Sequence, residues 1–364
     1  MKCYITTFYQ YDNYGTRLQN YAMCRIIEKI GGVPVTILMD DKKENFISFI
    51  KDVCSYLPVV SNKQRIWLDI RKKRQSFKEF NNKLCFERIK YNKLSNIDFE
   101  DSIAIAGSDQ IWSPMHLMDK KYETELYFLR FAPKEKRYAY APSFGVEKIP
   151  YEMKDIYSKY ILDFQKLSVR EYAGKSIINS LTGLDVLLLP DPVFLLSQKE
   201  WQESISESKY IVSKEKYILT YFLSKQSDFL WNNIQECAKK RNAKIINIAG
   251  NEVGKGDIIP APDQFVNMIN DAEAVFTDSF HGSVFSIIMH TPFLVFRRKD
   301  VDQFSRLDML LHKYNLMNAY VNNEEEQMNY DMILENIFMD TEKVLEDERK
   351  RGVDYLKDII RVNS

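Results

Sequence analysis

An α/β fold built on parallel sheets is what the sequence predicts, and three observations predict it. Residues 2–39 read as strand, loop, helix and strand, the opening of a sheet whose strands are joined by crossover helices. The alternation restarts after Pro190-Asp191-Pro192, with strands over 217–222 and 244–248 around a helix over 229–241. Residues 274–290 then pass from a short apolar run, through small polar residues, to apolar residues at helical spacing. A chain of 364 residues fits two such domains better than one core. The expected layout is a first domain over 1–195, a second over 196–335 and a helix over 336–364 that packs back across them.

Composition narrows the function classes. Lys and Arg together number 51, as do Asp and Glu, so no net field favours nucleic acid and no such partner is expected. The five cysteines, Cys3, Cys24, Cys54, Cys85 and Cys237, are widely spaced and odd in number. That spacing suits neither a zinc site nor a disulfide framework. The first residues lack the apolar core of a signal peptide, and no apolar run is long enough to span a bilayer. The cytoplasm is the expected compartment.

Taken in order, residues 2–9 form the first strand and run into Asp12-Asn13-Tyr14-Gly15. Leu18, Tyr21, Ala22, Ile26 and Ile27 follow at helical spacing, and Gly31-Gly32 stops that helix before a strand over 33–39. Ligands of parallel sheets sit at the carboxyl ends of strands, where Asp12 to Gly15 fall. Gly15 allows close backbone approach, and Asp12, Asn13 and Gln19 offer hydrogen-bonding groups; a turn with a helix cap accounts for them equally well. Residues 63–74 concentrate basic charge around Ile66, Trp67 and Ile70. That mixture suits an anionic membrane surface or, alternatively, the solvated face of a helix.

A third strand over 101–106 delivers Gly107-Ser108-Asp109-Gln110-Ile111-Trp112 to the same edge. An acid, an amide and an indole together suit a sugar, because carboxylates and amides pair with hydroxyls and an aromatic face stacks on a pyranose. The competing assignment makes Trp112 core and Asp109 a helix cap. Further on, a strand over 137–140 and a helix over 151–164 precede a short strand with Arg170 at its tip. A guanidinium there can grip a carboxylate or phosphate, or pair with Glu171 or another nearby acid.

In the second half, the turn Thr277-Asp278-Ser279-Phe280-His281-Gly282 joins a strand to a helix. Backbone N–H groups and the positive end of the helix dipole make such a turn an anion site, and His281 adds a group that can transfer protons. A buried joint whose histidine caps a backbone group is the plainer account. A strand over 291–296 ends in Arg297-Arg298-Lys299, and the helix beginning near Phe304 carries Arg306. The remaining histidines, His116, His290 and His312, read as structural, with a place facing the cleft the alternative for His116, just after the Trp112 block.

Together these blocks resemble the polysaccharide pyruvyl transferase family. The resemblance rests on Asp12-Asn13-Tyr14-Gly15 with Leu18-Gln19, Gly107 to Trp112, Ser168-Val169-Arg170-Glu171, Pro190-Asp191-Pro192-Val193 and Thr277 to Gly282. It implies two Rossmann-like domains facing a central cleft, as in GT-B glycosyltransferases. It also implies a pyruvyl group moved from phosphoenolpyruvate to two hydroxyls of a cell-surface polysaccharide precursor, such as a capsule or exopolysaccharide, as a cyclic ketal. Phosphoenolpyruvate is then a co-substrate and no cofactor or metal is needed. In that scheme His281 is the general acid/base, and Arg170, Ser279, Phe280, Gly282 and Arg306 bind the donor. Asp12, Asn13, Tyr14, Gly15, Gln19, Asp109, Gln110 and Trp112 line the acceptor side. A lipid-linked saccharide is the implied acceptor, reached at the inner face of the membrane through residues 63–74.

One departure stands out. Some members of that family carry Arg two residues before the motif histidine, where this chain has Ser279, so Arg297, Arg298 or Arg306 would have to supply the cation. The rival readings are a glycosyltransferase with a nucleotide-sugar donor and a non-catalytic saccharide-binding protein.

Overall fold

A computed structural model of the chain describes residues 1–9, 13–39, 62–206, 212–250, 257–298, 304–322, 330, 334, 338 and 341–363. The chain divides into two compact units. Met1–Trp67, Asn81–Leu195 and Glu348–Ser364 form the first, and Leu68–Phe80 with Leu196–Asp347 the second.

In the first unit, β1 (Lys2–Thr6), β2 (Val33–Met39), β3 (Phe86–Ile89), β4 (Ser102–Ala106) and β5 (Arg137–Ala139) form one sheet. Its order is β3-β2-β1-β4-β5, with every pair parallel. Strands covered on both faces need apolar side chains on both, which is why β4 reads Ser-Ile-Ala-Ile-Ala and is buried throughout. Edge strand β3 departs from that rule: Glu87 and Arg88 are exposed and Ile89 alone is buried, so its sequence gave no apolar run to recognise.

The helix Tyr14–Lys29 links β1 to β2. Asn13 caps it by accepting from the Thr16 N–H at 3.3 Å, and Gly31, at φ 91°, releases the chain after its last turn. A two-stranded parallel pair, β6 (Ser168–Val169) and β7 (Leu187–Leu188), stands beside the main sheet. The helix Thr341–Asn363 closes this unit with its later turns. Tyr355 donates to the Ala139 carbonyl at 2.9 Å, Lys166 pairs with Asp358 at 2.5 Å, and Asn363 donates to the Tyr138 hydroxyl at 2.8 Å.

The second unit repeats the plan with β8 (Tyr217–Tyr221), β9 (Lys244–Ile248), β10 (Ala274–Thr277), β11 (Phe293–Phe296) and β12 (Tyr320–Val321). All pairs are again parallel, in the order β12-β11-β10-β8-β9. The basic run of residues 63–74 lies in the helix Asn62–Phe80. Phe77 and Phe80 are buried there while Arg71, Lys72 and Arg74 are exposed; the side chains of Ile66, Trp67 and Ile70 fall outside the described residues. Among the described residues no helix is long and apolar enough to cross a membrane.

The helix Phe280–Met289 sits so close to β10 that its third residue must be glycine. A Cβ on Gly282 would fall 2.6 Å from Thr277 Oγ1 and 3.2 Å from its Cβ. Thr277 cannot easily yield, since its hydroxyl donates to the Tyr221 carbonyl at 2.6 Å and accepts from the Ser279 N–H at 3.0 Å. Gly282→Ala is therefore expected to destabilise the protein by about 1–3 kcal/mol through overpacking. Urea unfolding reads this directly, and a variant as stable as the parent would mean the strand and helix separate freely.

Candidate functional site

In both units polar residues follow the strands at the carboxyl edge of the sheet. In the first unit β1 leads through Thr7 and Phe8 towards the start of the Tyr14–Lys29 helix; Asp12 falls outside the described residues. Gln19 is buried in that helix and donates to Thr7 Oγ1 at 2.7 Å, which donates in turn to the Ser108 carbonyl at 2.9 Å. Tyr14 and Gly15 are buried as well, so the first turn of the helix seals the edge, and among the described residues of the group Asn13 is exposed.

Asp109 lies at the centre of this edge. Its backbone adopts φ 73°, unusual for a residue with a Cβ, and its carboxylate accepts from Thr16 Oγ1 at 2.9 Å and from the Gln110 N–H at 2.9 Å. Gln110 itself lies over Gly145, where an added Cβ would meet its amide at 2.9 Å. Across from Asp109, Arg170 is buried among three acids: 2.5 Å to Asp191, 3.6 Å to Glu171 and 3.7 Å to Asp109. Burial opposes the guanidinium charge, yet the three carboxylates outweigh it and hold Arg170 above its ordinary pKa. Glu171 is fixed further by the Ser143 hydroxyl at 2.7 Å and the Phe144 N–H at 2.8 Å. Arg170 thus ties strand ends of its own unit together, and it lies with the residues assigned to the acceptor.

Trp112 corrects the expectation of a stacking surface. The indole is fully buried, lies parallel to Phe128 at 5.1 Å and donates to the Tyr127 carbonyl at 3.0 Å. Phe144 and Phe164 close around it edge-on, leaving no face for a sugar ring. His116 moves the other way. It is half-buried, meets Phe8 edge-on at 5.4 Å and feels the Asp109 charge. Burial and the neighbouring Lys120 hold its imidazole towards the neutral form, against the pull of Asp109. An imidazole held towards the neutral form is suited to accept a hydroxyl proton. Its place seven residues after Asp109, just past the Ser113-Pro114 helix start, was the available sequence signal.

In the second unit the turn after β10 carries the polar residues. Ser279 caps the Phe280–Met289 helix by accepting from the Gly282 N–H at 3.3 Å, so this serine and this glycine N–H serve each other. Asp278, just before them, accepts from the N–H groups of Leu223 at 2.6 Å and Ser224 at 2.9 Å, and from the Ser224 hydroxyl. Burial pushes its carboxyl above the usual range despite those donors. The effect of Asp278 is to pin the loop after β8 to the start of the helix.

Phe280 and His281, both half-buried, are the first two residues of that helix. The Arg306 guanidinium lies 5.6 Å from the Phe280 ring centroid, and the His281 imidazole is perpendicular to the same ring at 5.2 Å. Ser279, Phe280, His281, Gly282 and Arg306 are therefore assembled on one unit. The remaining histidines lie elsewhere: His290 pairs with Glu342 at 2.9 Å, and His312 is 3.4 Å from Asp308. Among the described residues no group of His, Cys, Asp and Glu is arranged to hold a metal ion.

The chain has likenesses among solved structures. UDP-GlcNAc 2-epimerase from Neisseria meningitidis, bound to UDP-GlcNAc, matches 100% of this chain and 99% of its own at 11% identity, with a TM-score of 0.50. The UDP-GlcNAc 2-epimerase from Methanocaldococcus jannaschii matches 98% of this chain and 100% of its own at 12% identity and 0.49. The glycosyltransferase SnogD from Streptomyces nogalater matches 100% and 99% at 5% identity and 0.48. Such identities speak to fold alone, and the fold is a GT-B-like pair of Rossmann-like units. No curated protein matches the chain in sequence. The family model for polysaccharide pyruvyl transferase matches residues 13–300, a span that holds every site residue discussed except Asp12 and Arg306, and the chain belongs to that transferase family.

Proposed function

We propose that the protein transfers the pyruvyl group of phosphoenolpyruvate to two hydroxyls of a lipid-linked polysaccharide precursor, forming a cyclic ketal. The observation that carries this reading is the set His281, Phe280 and Arg306 at the carboxyl edge of the second unit's sheet, with a proton-transfer group and a cation sharing one aromatic ring.

The chemistry asks for what those residues offer. A proton added to the methylene carbon of the donor leaves positive charge at C2, and a sugar oxygen bonds there as its own proton departs. The phosphate then leaves and the second sugar oxygen takes its place, its proton going to the phosphate. One ketal and one inorganic phosphate result, with no net redox change. His281 supplies the carbon-bound proton, Arg306 and the helix start face the donor's negative charge, and Ser279 and Gly282 hold that start in shape. On the first unit, Asp109 with Asn13 and Gln110 receives the hydroxyls, and Arg170 keeps Asp109 and Glu171 in position.

A melting experiment with phosphoenolpyruvate, UDP and no ligand tests the donor. At one hundred times its dissociation constant a ligand adds about 2.7 kcal/mol to stability. Stabilisation by phosphoenolpyruvate is the expected result. Stabilisation by UDP alone would replace this reading with a nucleotide-sugar glycosyltransferase.

A further inference from the structure

With Trp112 buried against Phe128, an aromatic face for a saccharide ring has to come from elsewhere on the first unit's edge. Phe8, Tyr14 and Phe144 are buried there as well, whereas Tyr172 is 66% exposed. It is the first residue of the helix Tyr172–Thr182, directly after Arg170 and Glu171. Among the described residues no aromatic ring and no hydrogen-bonding side chain meets it.

Ser143 ties that helix start to Asp109. Its N–H donates to the Asp109 carbonyl at 2.8 Å, and its hydroxyl donates to the Glu171 carboxylate at 2.7 Å. The Phe144 N–H donates to the same carboxylate oxygen at 2.8 Å, and a Cβ on Gly174 would fall 3.1 Å from the Phe144 ring. Gly145, next in the chain, lies under the Gln110 amide. The first turn of this helix is therefore seated on the same loop that holds Asp109 and Gln110.

The direction of the side chain follows from the helix. Tyr138 of β5 bridges in parallel to Lys166, just ahead of β6, so β6 ends at the same edge as the main sheet. Arg170 at its tip accordingly meets Asp109 and Asp191. The Cα–Cβ bonds of a helix tilt towards its N-terminus, so a side chain at the first position projects past the helix start. For Tyr172 that direction leads off the carboxyl edge, the side on which ligands of parallel sheets sit.

We infer that Tyr172 is the stacking residue for the acceptor saccharide. One C–H face of a pyranose lies on its ring, while Asp109, Gln110 and Asn13 take hydroxyls at the sugar's rim. The inference rests on the acceptor half of the proposed function and deepens it, by giving the acceptor a required face. Hydrogen bonds to hydroxyls largely replace bonds to water, so polar groups alone hold a sugar weakly. A ring covering the C–H face adds apolar burial and fixes which face points at the carboxylate. The phenol hydroxyl has no part in this contact.

Ligand-observed NMR titration of the full chain with methyl β-glucoside, methyl β-galactoside and methyl β-mannoside tests the platform. The proteins are the parent, Tyr172→Ala, Tyr172→Leu, Tyr172→Phe and Tyr151→Ala. At least one glycoside is expected to bind the parent, with saturation strongest at the hydrogens of one ring face. Tyr172→Ala and Tyr172→Leu should each weaken it about tenfold, and Tyr172→Phe by less than about twofold. Leucine keeps the bulk at this position and guards against a folding defect in the alanine variant. Tyr151→Ala should also change affinity less than about twofold, since Val146 to Pro150 separate that exposed ring from Gly145 and Lys154 already faces it. Melting curves with and without phosphoenolpyruvate report folding and donor binding separately, and the shift should be the same in the parent and in Tyr172→Ala.

Glycoside affinity that Tyr172→Ala leaves intact would overturn the platform, and a phosphoenolpyruvate shift in the same protein would leave the donor reading standing. A loss in Tyr172→Phe equal to that in Tyr172→Ala would also overturn it, by making the hydroxyl the contact. So would equal losses from Tyr172→Ala and Tyr151→Ala, or a parent that binds none of the three glycosides. Glycoside binding that depends on Tyr172, in a protein that phosphoenolpyruvate does not stabilise, would keep the platform and remove the donor.

Discussion

Arg170→Met is expected to lower the free energy of unfolding by about 3–5 kcal/mol, the loss seen when one partner of a buried ion pair is removed. Arg170 is 5% exposed and Asp191 is 3% exposed, 2.5 Å apart, with Glu171 and Asp109 on the same guanidinium. Without the cation these carboxylates face one another in a poorly hydrated edge. Thr16, Ser143, Phe144 and Val193 donate to them, but neutral donors do not balance the charge. Urea unfolding gives the number, and a loss under about 1 kcal/mol would show that water reaches the cluster and screens it. Arg170→Met combined with Asp191→Leu should recover part of the deficit, because neighbours sharing one network do not add.

The consequence for function is direct. A variant at Arg170 is expected to lose activity through the shape of this edge, whether or not the residue meets a ligand. Activity loss alone therefore assigns no contact to Arg170. Retained phosphoenolpyruvate binding in a folded Arg170 variant would place its role on the acceptor side.

The strands were readable where burial on both faces forced continuous apolar runs, as in Tyr217–Tyr221 and Ala274–Thr277. They were not readable at the sheet edges. β3 carries Glu87 and Arg88 towards solvent and β12 is two residues long, so neither has a pattern that local sequence can show. The same limit governed the site. Asp278-Ser279-Phe280-His281 announced itself because a strand, a cap and a helix are all local features.

Trp112 and Arg170 were ambiguous because their partners are distant in sequence. An indole after a strand fits a sugar or a core, and Phe128, Phe144 and Phe164 decide it. A guanidinium at a strand tip fits a phosphate or an acid, and Asp191, itself placed by the Pro190–Pro192 turn, decides that. The end of the chain shows the same division. Its amphipathic helix was legible, but its attachment through Tyr355 and Asp358 to the β5–β6 region of the first unit was not.

His281→Gln is expected to slow turnover by about 10²–10⁴-fold, the usual contribution of a positioned acid or base, while leaving phosphoenolpyruvate affinity within about threefold. The residue lies one position past the first of the Phe280–Met289 helix, and Gln, a good helix former, keeps the backbone and a hydrogen-bonding side chain there. Glutamine cannot deliver a proton to carbon, so under the proposed mechanism the lost step is the one that places charge at C2. Removing the proton donor should also leave Phe280 and Arg306 in contact, since that pair needs only the ring. Release of inorganic phosphate from phosphoenolpyruvate follows the rate, and titration calorimetry follows the affinity. A rate unchanged within about threefold would remove His281 from the chemistry and direct attention to His116 on the other unit. A rate and an affinity that fall together would instead make His281 a binding residue, with the proton coming from elsewhere.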